Sequence, residues 1–372
     1  MSIMDKVKKK LKKDQLALFH TGYSQIEGLK SGSIVINKLS GIGGYPKGRI
    51  TEIFGPESSG KTTLAYHAIK TCQAEGKVAI FVDYEKTFDS VYSSALGVQV
   101  NEEKLLLLRP KTLEEGSDIL KAMLSDPEIA PDIGLVVIDS IAAMQPAKII
   151  DGSAEQESIG LQARKLATFF AWYATVTEEN EITSIFLNQE RTNIKTSPFD
   201  TGPDVKSTGG KALQYYISFR LRLRIRKADK EKRKNPATGV VEDVSVKNFV
   251  RVECKKSKVG FPGLRADIVI RYGKGIDNFL ALLEIAKGNG QIEQAGPMYR
   301  FTSLIDGEEK KFKGWANVEK FFIENRNELG ALKDWFENKS IEMEDEDNFV
   351  DIYDDSEHLP EASVEGSEEV SL

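Results

Sequence analysis

The segment Gly55-Pro56-Glu57-Ser58-Ser59-Gly60-Lys61-Thr62 constrains this chain more than any other, because it satisfies the pattern G-x-x-x-x-G-K-[ST] at every required position. Glycines at both ends let such a loop aim successive backbone N–H groups at phosphate oxygens. Lys61 brings a point charge to the β- and γ-phosphates, and the Thr62 hydroxyl is a ligand for Mg²⁺. The flanks agree with this reading. Residues 49–54 read as a strand entering the loop. Thr63 to Ala74 reads as a helix leaving it, with Leu64, Ala65, Ala68, Ile69 and Cys72 on one face and Gly76 as a stop. The anion then sits on a helix N-terminus.

Downstream, strands and helices alternate as in a doubly wound α/β sheet. Val78–Asp83 and Ile133–Ser140 are continuous apolar runs, the pattern of strands buried on both faces, and Ile182–Leu187 is a third. Ligands of open α/β sheets lie beyond the C-terminal strand ends, so Glu85, Asp139 and Gln189 are expected to converge on the nucleotide. Asp139 suits the task of holding Mg²⁺ rather than capping a turn. Glu85 suits activation of the water that attacks the γ-phosphate, against the plainer role of a solvated strand-end glutamate. Gln189 is neutral, and sensing or positioning stands level with a satisfied buried amide.

The chain has 372 residues, 40% hydrophobic and 29% charged, which suits a soluble protein of two or three domains. No apolar run approaches the roughly 20 residues that span a membrane, and no apolar segment of a secretory signal follows the lysine-rich residues 1–13. Cys72 and Cys254 read as core thiols in a reducing cytosol. The net charge of −6 is unevenly spread. Residues 341–372 hold 13 carboxylates and no lysine or arginine, leaving 51 basic against 44 acidic residues, net +7, in residues 1–340. That asymmetry suits a polyanion partner with which the tail competes, or a tail that only solubilises. The tail buries too little apolar surface to order itself, so disorder is expected.

At the other end, Ile3, Val7 and Leu11 recur among lysines as one stripe of a short basic helix. Residues 151–160, short and polar, and 190–210, which shows no periodicity, resist assignment as helix or strand, and a loop as long as the second is usually functional or disordered. Tyr215 to Arg226 alternates strictly, with Arg220, Arg222, Arg224 and Arg226 opposite Phe219, Leu221, Leu223 and Ile225. This reads as a strand whose basic face is either solvated or a groove for phosphates.

These residues together resemble the bacterial RecA recombinases. The likeness runs through Gly48-Arg49-Ile50, the phosphate loop with Thr63, Asp139-Ser140-Ile141-Ala142-Ala143, Asn188-Gln189 with Arg191, and Thr208-Gly209-Gly210-Lys211-Ala212-Leu213. It covers residues 29–275 and, more weakly, 291–315. The resemblance implies an ATP- and Mg²⁺-dependent recombinase that forms a filament on single-stranded DNA and exchanges strands with a duplex. Lys61, Glu85, Gln189, Lys256 and Lys258 become catalytic, the last two reaching a neighbouring subunit's ATP. Gly55 through Thr63, Asp89, Tyr92, Asp139, Ser140 and Tyr272 become nucleotide-binding, with Thr62 and Asp139 on the metal, Asp89 and Tyr92 at the adenine, and Tyr272 a second aromatic near the nucleotide. The two unassigned segments become DNA loops. Ile159, Arg164, Arg191, Ile194, Gly209, Gly210 and Lys211 then contact DNA, while Arg224 and Arg251 match a second, duplex-accepting site. This chain departs from the family at Ala167 and Ala171, which replace polar or basic positions, at Lys211 in place of an amide, and at Glu253 in place of a lysine.

The expected architecture is a RecA-like P-loop ATPase core, a twisted and mostly parallel α/β sheet flanked by helices. Residues 1–28 are a helical oligomerisation segment, 29–274 the core, 275–340 a small α+β domain and 341–372 the acidic tail. The implied partners are single- and double-stranded DNA, further copies of the chain, and single-strand-binding and loader proteins, in the cytoplasm of a bacterial or phage-infected cell. Two other readings share the core: a hexameric DNA helicase or translocase, and a DNA-coating protein with a vestigial ATPase.

Overall fold

The computed structural model describes residues 25–150, 155–192, 205–207 and 210–339. The basic segment 1–13, Ile194, Gly209 and the acidic tail 341–372 lie outside the described residues, as do the side chains of Ile159, Arg191 and Lys211.

The described residues open with β1 (Gly28–Leu29), α1 (Ile34–Ser40) and β2 (Tyr45–Pro46). The nucleotide-binding unit follows as β3 (Ile50–Gly55), α2 (Lys61–Ala74), β4 (Val78–Asp83), α3 (Ser90–Ala95), β5 (Leu105–Leu108), α4 (Leu113–Leu124), β6 (Ile133–Asp139), α5 (Ala147–Ile150), α6 (Glu155–Glu179) and β7 (Thr183–Thr192). Then come β8 (Val205–Ser207), α7 (Gly210–Tyr216), β9 (Ile217–Lys234), β10 (Val241–Ser257), β11 (Arg265–Arg271) and β12 (Gly275–Ile276). The C-terminal unit contains α8 (Asn278–Gly288), β13 (Ile292–Ala295), β14 (Met298–Thr302), β15 (Glu309–Lys313), α9 (Trp315–Glu324) and α10 (Arg326–Asn338).

One sheet organises the molecule, in the order β12-β11-β10-β9-β3-β7-β6-β4-β5, with β8 paired to β7. From β9 to β5 neighbouring strands are parallel, while β10, β11 and β12 run antiparallel. Alternation within the buried strands divides the apolar residues between two faces. Ile53, Phe81 and Val137 pack with Leu64, Ala68 and Ile69 of α2. Ile80, Val82, Val136 and Ile138 pack with Leu120 of α4 and Leu166, Phe169, Phe170 and Tyr173 of α6. Both faces are therefore covered, as a continuous apolar strand requires. Helix α8 is capped by Asp277, whose carboxylate accepts from the Leu280 N–H at 2.9 Å. Its Leu280 and Ala281 join the sheet's core, whereas Leu282, Leu283 and Ala286 join the core of the C-terminal unit, so one helix ties the two together.

The structure corrects three expectations. The segment 151–160 is helical from Glu155, as the first turns of the 25-residue α6. Part of 190–210 is strand, because Glu190, Arg191 and Thr192 pair with Ser207, Lys206 and Val205. Backbone pairing over three residues with no apolar face leaves no periodic mark. The arginine row is the third. Tyr215 and Tyr216 close α7 before the strand begins at Ile217. Arg220 pairs with Glu52, Arg222 with Glu190 and Arg226 with Asp267, which leaves Arg224 as the one exposed member without a carboxylate among the described residues. Alternation reveals that a strand has two faces but not which acidic groups the neighbouring strands bring opposite them.

Candidate nucleotide and DNA site

Strand β3 delivers the phosphate loop and α2 continues it. Gly55 is required by close approach, since a Cβ there would lie 2.4 Å from the Leu223 carbonyl oxygen. Gly60 has φ +93°, and its Cβ would lie 2.2 Å from Ile270 Cδ1. The Lys61 ammonium donates to the carbonyls of Gly55 at 3.0 Å and Pro56 at 2.7 Å, curling back over the loop. Burial lowers its pKa, opposed by the nearby Asp139 and Glu85 carboxylates.

Three strand ends meet this loop. At the end of β6, the Asp139 carboxylate accepts from the Thr62 hydroxyl at 3.3 Å. Burial first, then the neighbouring Glu85 and Asp83 carboxylates, push the Asp139 carboxyl up to about 7. A buried carboxylate in that position, beside a hydroxyl, gains from a cation, so Thr62 and Asp139 suit Mg²⁺. Beyond β4, the turn carrying Glu85 is fixed from both sides. Asp83 accepts from the N–H groups of Thr87 and Phe88 and from Arg109, while the N–H of Tyr84 donates to the Asp139 carbonyl at 2.8 Å. The Ser140 hydroxyl donates to Glu85 Oε1, and Gln189 Nε2 reaches the same oxygen at 3.4 Å. Glu85, Ser140 and Gln189, predicted on three separate strands, thus form one cluster.

A cavity of about 250 Å³ opens beside the loop, lined by Ser58, Lys61, Thr62 and Thr63 together with Tyr92, Asn248 and Tyr272. Both tyrosines singled out in the sequence are therefore in it. The Tyr92 hydroxyl bonds Thr63 Oγ1 at 3.0 Å, and Tyr272 Oη accepts from Asn248 Nδ2 at 3.0 Å. Asp89 is not among the residues lining the cavity. It caps α3, accepting from the Tyr92 N–H at 2.8 Å.

Sequence reasoning missed two features. Asn248 lines the cavity with its Oδ1 buried and without a partner among the described residues, and no sequence motif marks it. The second is a buried triad behind the loop. The wholly buried Glu52 accepts from Asn188 Nδ2 at 2.9 Å and from Arg220 Nε, and the Arg220 guanidinium lies 4.2 Å from the centre of the Phe54 ring. The Gln189 N–H donates to Asn188 Oδ1 at 3.0 Å, which links the triad to the Glu85 cluster. A glutamate between the apolar Ile50 and Ile53 of a buried strand was the available signal.

A family model described as the RecA N-terminal domain matches residues 1–277. The chain belongs to the RecA family. Curated relatives named Protein RecA agree over most of their length. The protein of Limosilactobacillus reuteri strain DSM 20016 is 35% identical over 310 residues, 83% of this chain and 79% of the relative. That of Mesoplasma florum is 35% identical over 320 residues, 85% and 90% respectively. That of Borreliella burgdorferi strain ZS7 is 36% identical over 333 residues, 89% and 85%.

Within this RecA family core, the remaining predicted residues fall as follows. Lys256 Nζ donates to the Gln214 carbonyl and Lys258 Nζ to that of Tyr215, so both ammonium groups cap the C-terminal end of α7, where the helix dipole favours cations. Arg164 is exposed on α6, its Nε donating to the Gly160 carbonyl at 3.3 Å. Gly210 is the first residue of α7. Arg224 and Arg251 are register partners across β9 and β10, and Arg251 makes two hydrogen bonds to Asp267 that raise its pKa. Among the described residues, no helix is long and apolar enough to cross a membrane.

Proposed function

We propose that this chain is a DNA-dependent ATPase that assembles as a helical filament on single-stranded DNA and carries out homologous pairing and strand exchange in recombination and repair. The convergence of Glu85, Ser140 and Gln189 beside the phosphate loop carries this reading, supported by membership of the RecA family.

ATP lies with its phosphates on the Gly55–Thr63 loop and its base at the Tyr92, Asn248 and Tyr272 cavity. Thr62 and Asp139 would hold Mg²⁺, which would supply positive charge beside the phosphates. Lys61 releases the loop carbonyls and turns to those phosphates. Glu85 orients the attacking water and takes its proton. Ser140 and Gln189 fix the Glu85 carboxylate, and Gln189, continuous with Glu190 and Arg191 on β7, reports the state of the site to the second DNA loop. Lys256 and Lys258 act from one subunit on the nucleotide of the next. Ile159, Arg164, Arg191, Ile194, Gly209, Gly210 and Lys211 hold the single strand. Arg224 and Arg251 serve the duplex. The chain acts in the bacterial cytoplasm, with single-strand-binding and loader proteins as partners.

The test is ATP turnover with and without single-stranded DNA, alongside electron microscopy of the same mixtures. Turnover that rises with DNA, filaments on DNA, and Glu85→Gln filaments that persist while hydrolysis nearly stops are the expected results. A closed ring that unwinds duplex, or Glu85→Gln turnover near the parent rate, would overturn the reading.

A further inference from the structure

We propose that the hairpin formed by β9 and β10 beyond the sheet, residues 227–247, is an arm that grips duplex DNA. Its lysines would lie on the phosphates and its proline tip would sit in a groove. The proposal rests on the DNA-binding reading above but needs no ATP hydrolysis.

The strands outrun their neighbours. β3 pairs with β9 only from Ile217 to Arg222, and β11 pairs with β10 only from Lys247 to Glu253. Ladder pairing between β9 and β10 nonetheless continues out to Lys234 and Val241. Among the described residues the outer part is a two-stranded ribbon without a third strand, an arrangement that is marginal in water unless something stiffens it.

One face supplies that stiffness. Lys227 and Lys247 both pair with Asp229, at 2.6 and 3.3 Å, and both ammonium groups stand over the Phe249 ring. Arg233 pairs with Glu231 at 3.1 Å, and Asn235 Nδ2 donates to Glu242 at 3.1 Å. On this face three cations pair with two carboxylates, and a third carboxylate takes the Asn235 amide.

The opposite face is different. The register places Lys230, Lys232 and Lys234 there, across from Ser245, Asp243 and Val241. Among the described residues, none of these three lysines has a carboxylate within ion-pairing distance, including Asp243 directly opposite Lys232. Alternate residues of a strand are about 6.7 Å apart, close to the separation of successive phosphates along one backbone. A strand with only cations facing outward at that interval is suited to a phosphate track.

The tip adds a second observation. The Asn235 N–H donates to the Val240 carbonyl at 2.7 Å, the Gly239 N–H to the Asn235 carbonyl at 2.8 Å, and Asn235 Oδ1 accepts from the Ala237 N–H at 2.9 Å. This closed turn holds Pro236 exposed at the apex, with Val240 and Val241 beside it, 57% and 60% exposed. Three exposed apolar residues at the end of a charged ribbon gain nothing from water. A rigid apolar tip on a basic ribbon matches the wedges that groove-binding proteins insert between base steps, and a two-stranded ribbon fits a DNA groove.

The experiment uses the full chain with Lys230, Lys232 and Lys234 all changed to glutamine, and separately Pro236→Ala. Affinity for a fluorescent 30-mer duplex is measured by anisotropy as salt is varied, with single-strand-stimulated ATPase as a check of folding. Three lost phosphate contacts lower the log–log salt slope by about 2.7, so a fourfold rise in salt costs the parent about 40-fold more affinity than the variant. Pro236→Ala should keep the slope but lose duplex bending, read by energy transfer between end labels. An unchanged slope in the triple variant overturns the proposal. So does an unchanged slope with weakened self-association, which would make the arm a contact between subunits. Absent ATPase in the parent would count against the recombinase reading alone, because the anisotropy measurement does not depend on turnover.

Discussion

Arg220→Met tests the triad behind the phosphate loop. The Glu52 side chain is fully buried and the Arg220 side chain 17% exposed, so their ion pair is shielded from water. Removing the guanidinium leaves the buried carboxylate with the Asn188 amide as its remaining described donor. Breaking a buried pair from one side costs about 3–5 kcal/mol, because the surviving charge keeps its desolvation penalty. Lost stacking on Phe54 adds about 0.5–1 kcal/mol, which methionine partly restores. At about 2 °C per kcal/mol for a large domain, the melting temperature should fall by about 6–10 °C. The double variant Glu52→Leu, Arg220→Met removes both charges and should recover most of that loss. Calorimetric melting of the two single variants and the double closes the cycle. If Arg220→Met costs less than about 1 kcal/mol, or if the double variant is no better than the single, the pair is not the buried unit described here.

Three further outcomes are expected. The His67 ring accepts from the Ile276 N–H at 3.0 Å, and burial lowers its pKa from 6.5 to about 4. The unfolded chain therefore binds more protons between those values, and stability is lost as pH falls through that window; His67→Gln should lose less stability than the parent between pH 7 and pH 4 in urea titrations, and parallel pH profiles would contradict this. Mixing Lys256→Ala, Lys258→Ala subunits with Glu85→Gln subunits should restore some ATPase, since some joints then combine intact groups from two chains; no recovery in verified mixtures would place these lysines in cis. Deleting residues 341–372 removes 13 carboxylates and should strengthen duplex binding at low salt, with the gain shrinking as salt rises; equal affinities at low salt would leave the tail a solubilising role.

The nucleotide half of this protein is legible in the order of its residues. A phosphate loop is local, since its glycines, Lys61 and Thr62 act through spacing along one stretch of chain. The apolar runs ending at Asp83, Asp139 and Leu187 imply parallel strands whose ends must meet the loop, so Glu85, Asp139 and Gln189 could be brought together on paper. What lies opposite each strand is set by the folded sheet. Arg220 and Glu52 are 168 residues apart, and no local pattern shows that a parallel pairing of β3 with β9 sets one against the other. The same holds for Arg251 and Asp267, for Asn248 entering the nucleotide cavity across β10, and for the ribbon face where three lysines have no carboxylate partner among the described residues. Periodicity records which side of a strand a residue occupies, whereas ion pairing and cavity lining depend on register between distant strands, which is settled when the sheet assembles.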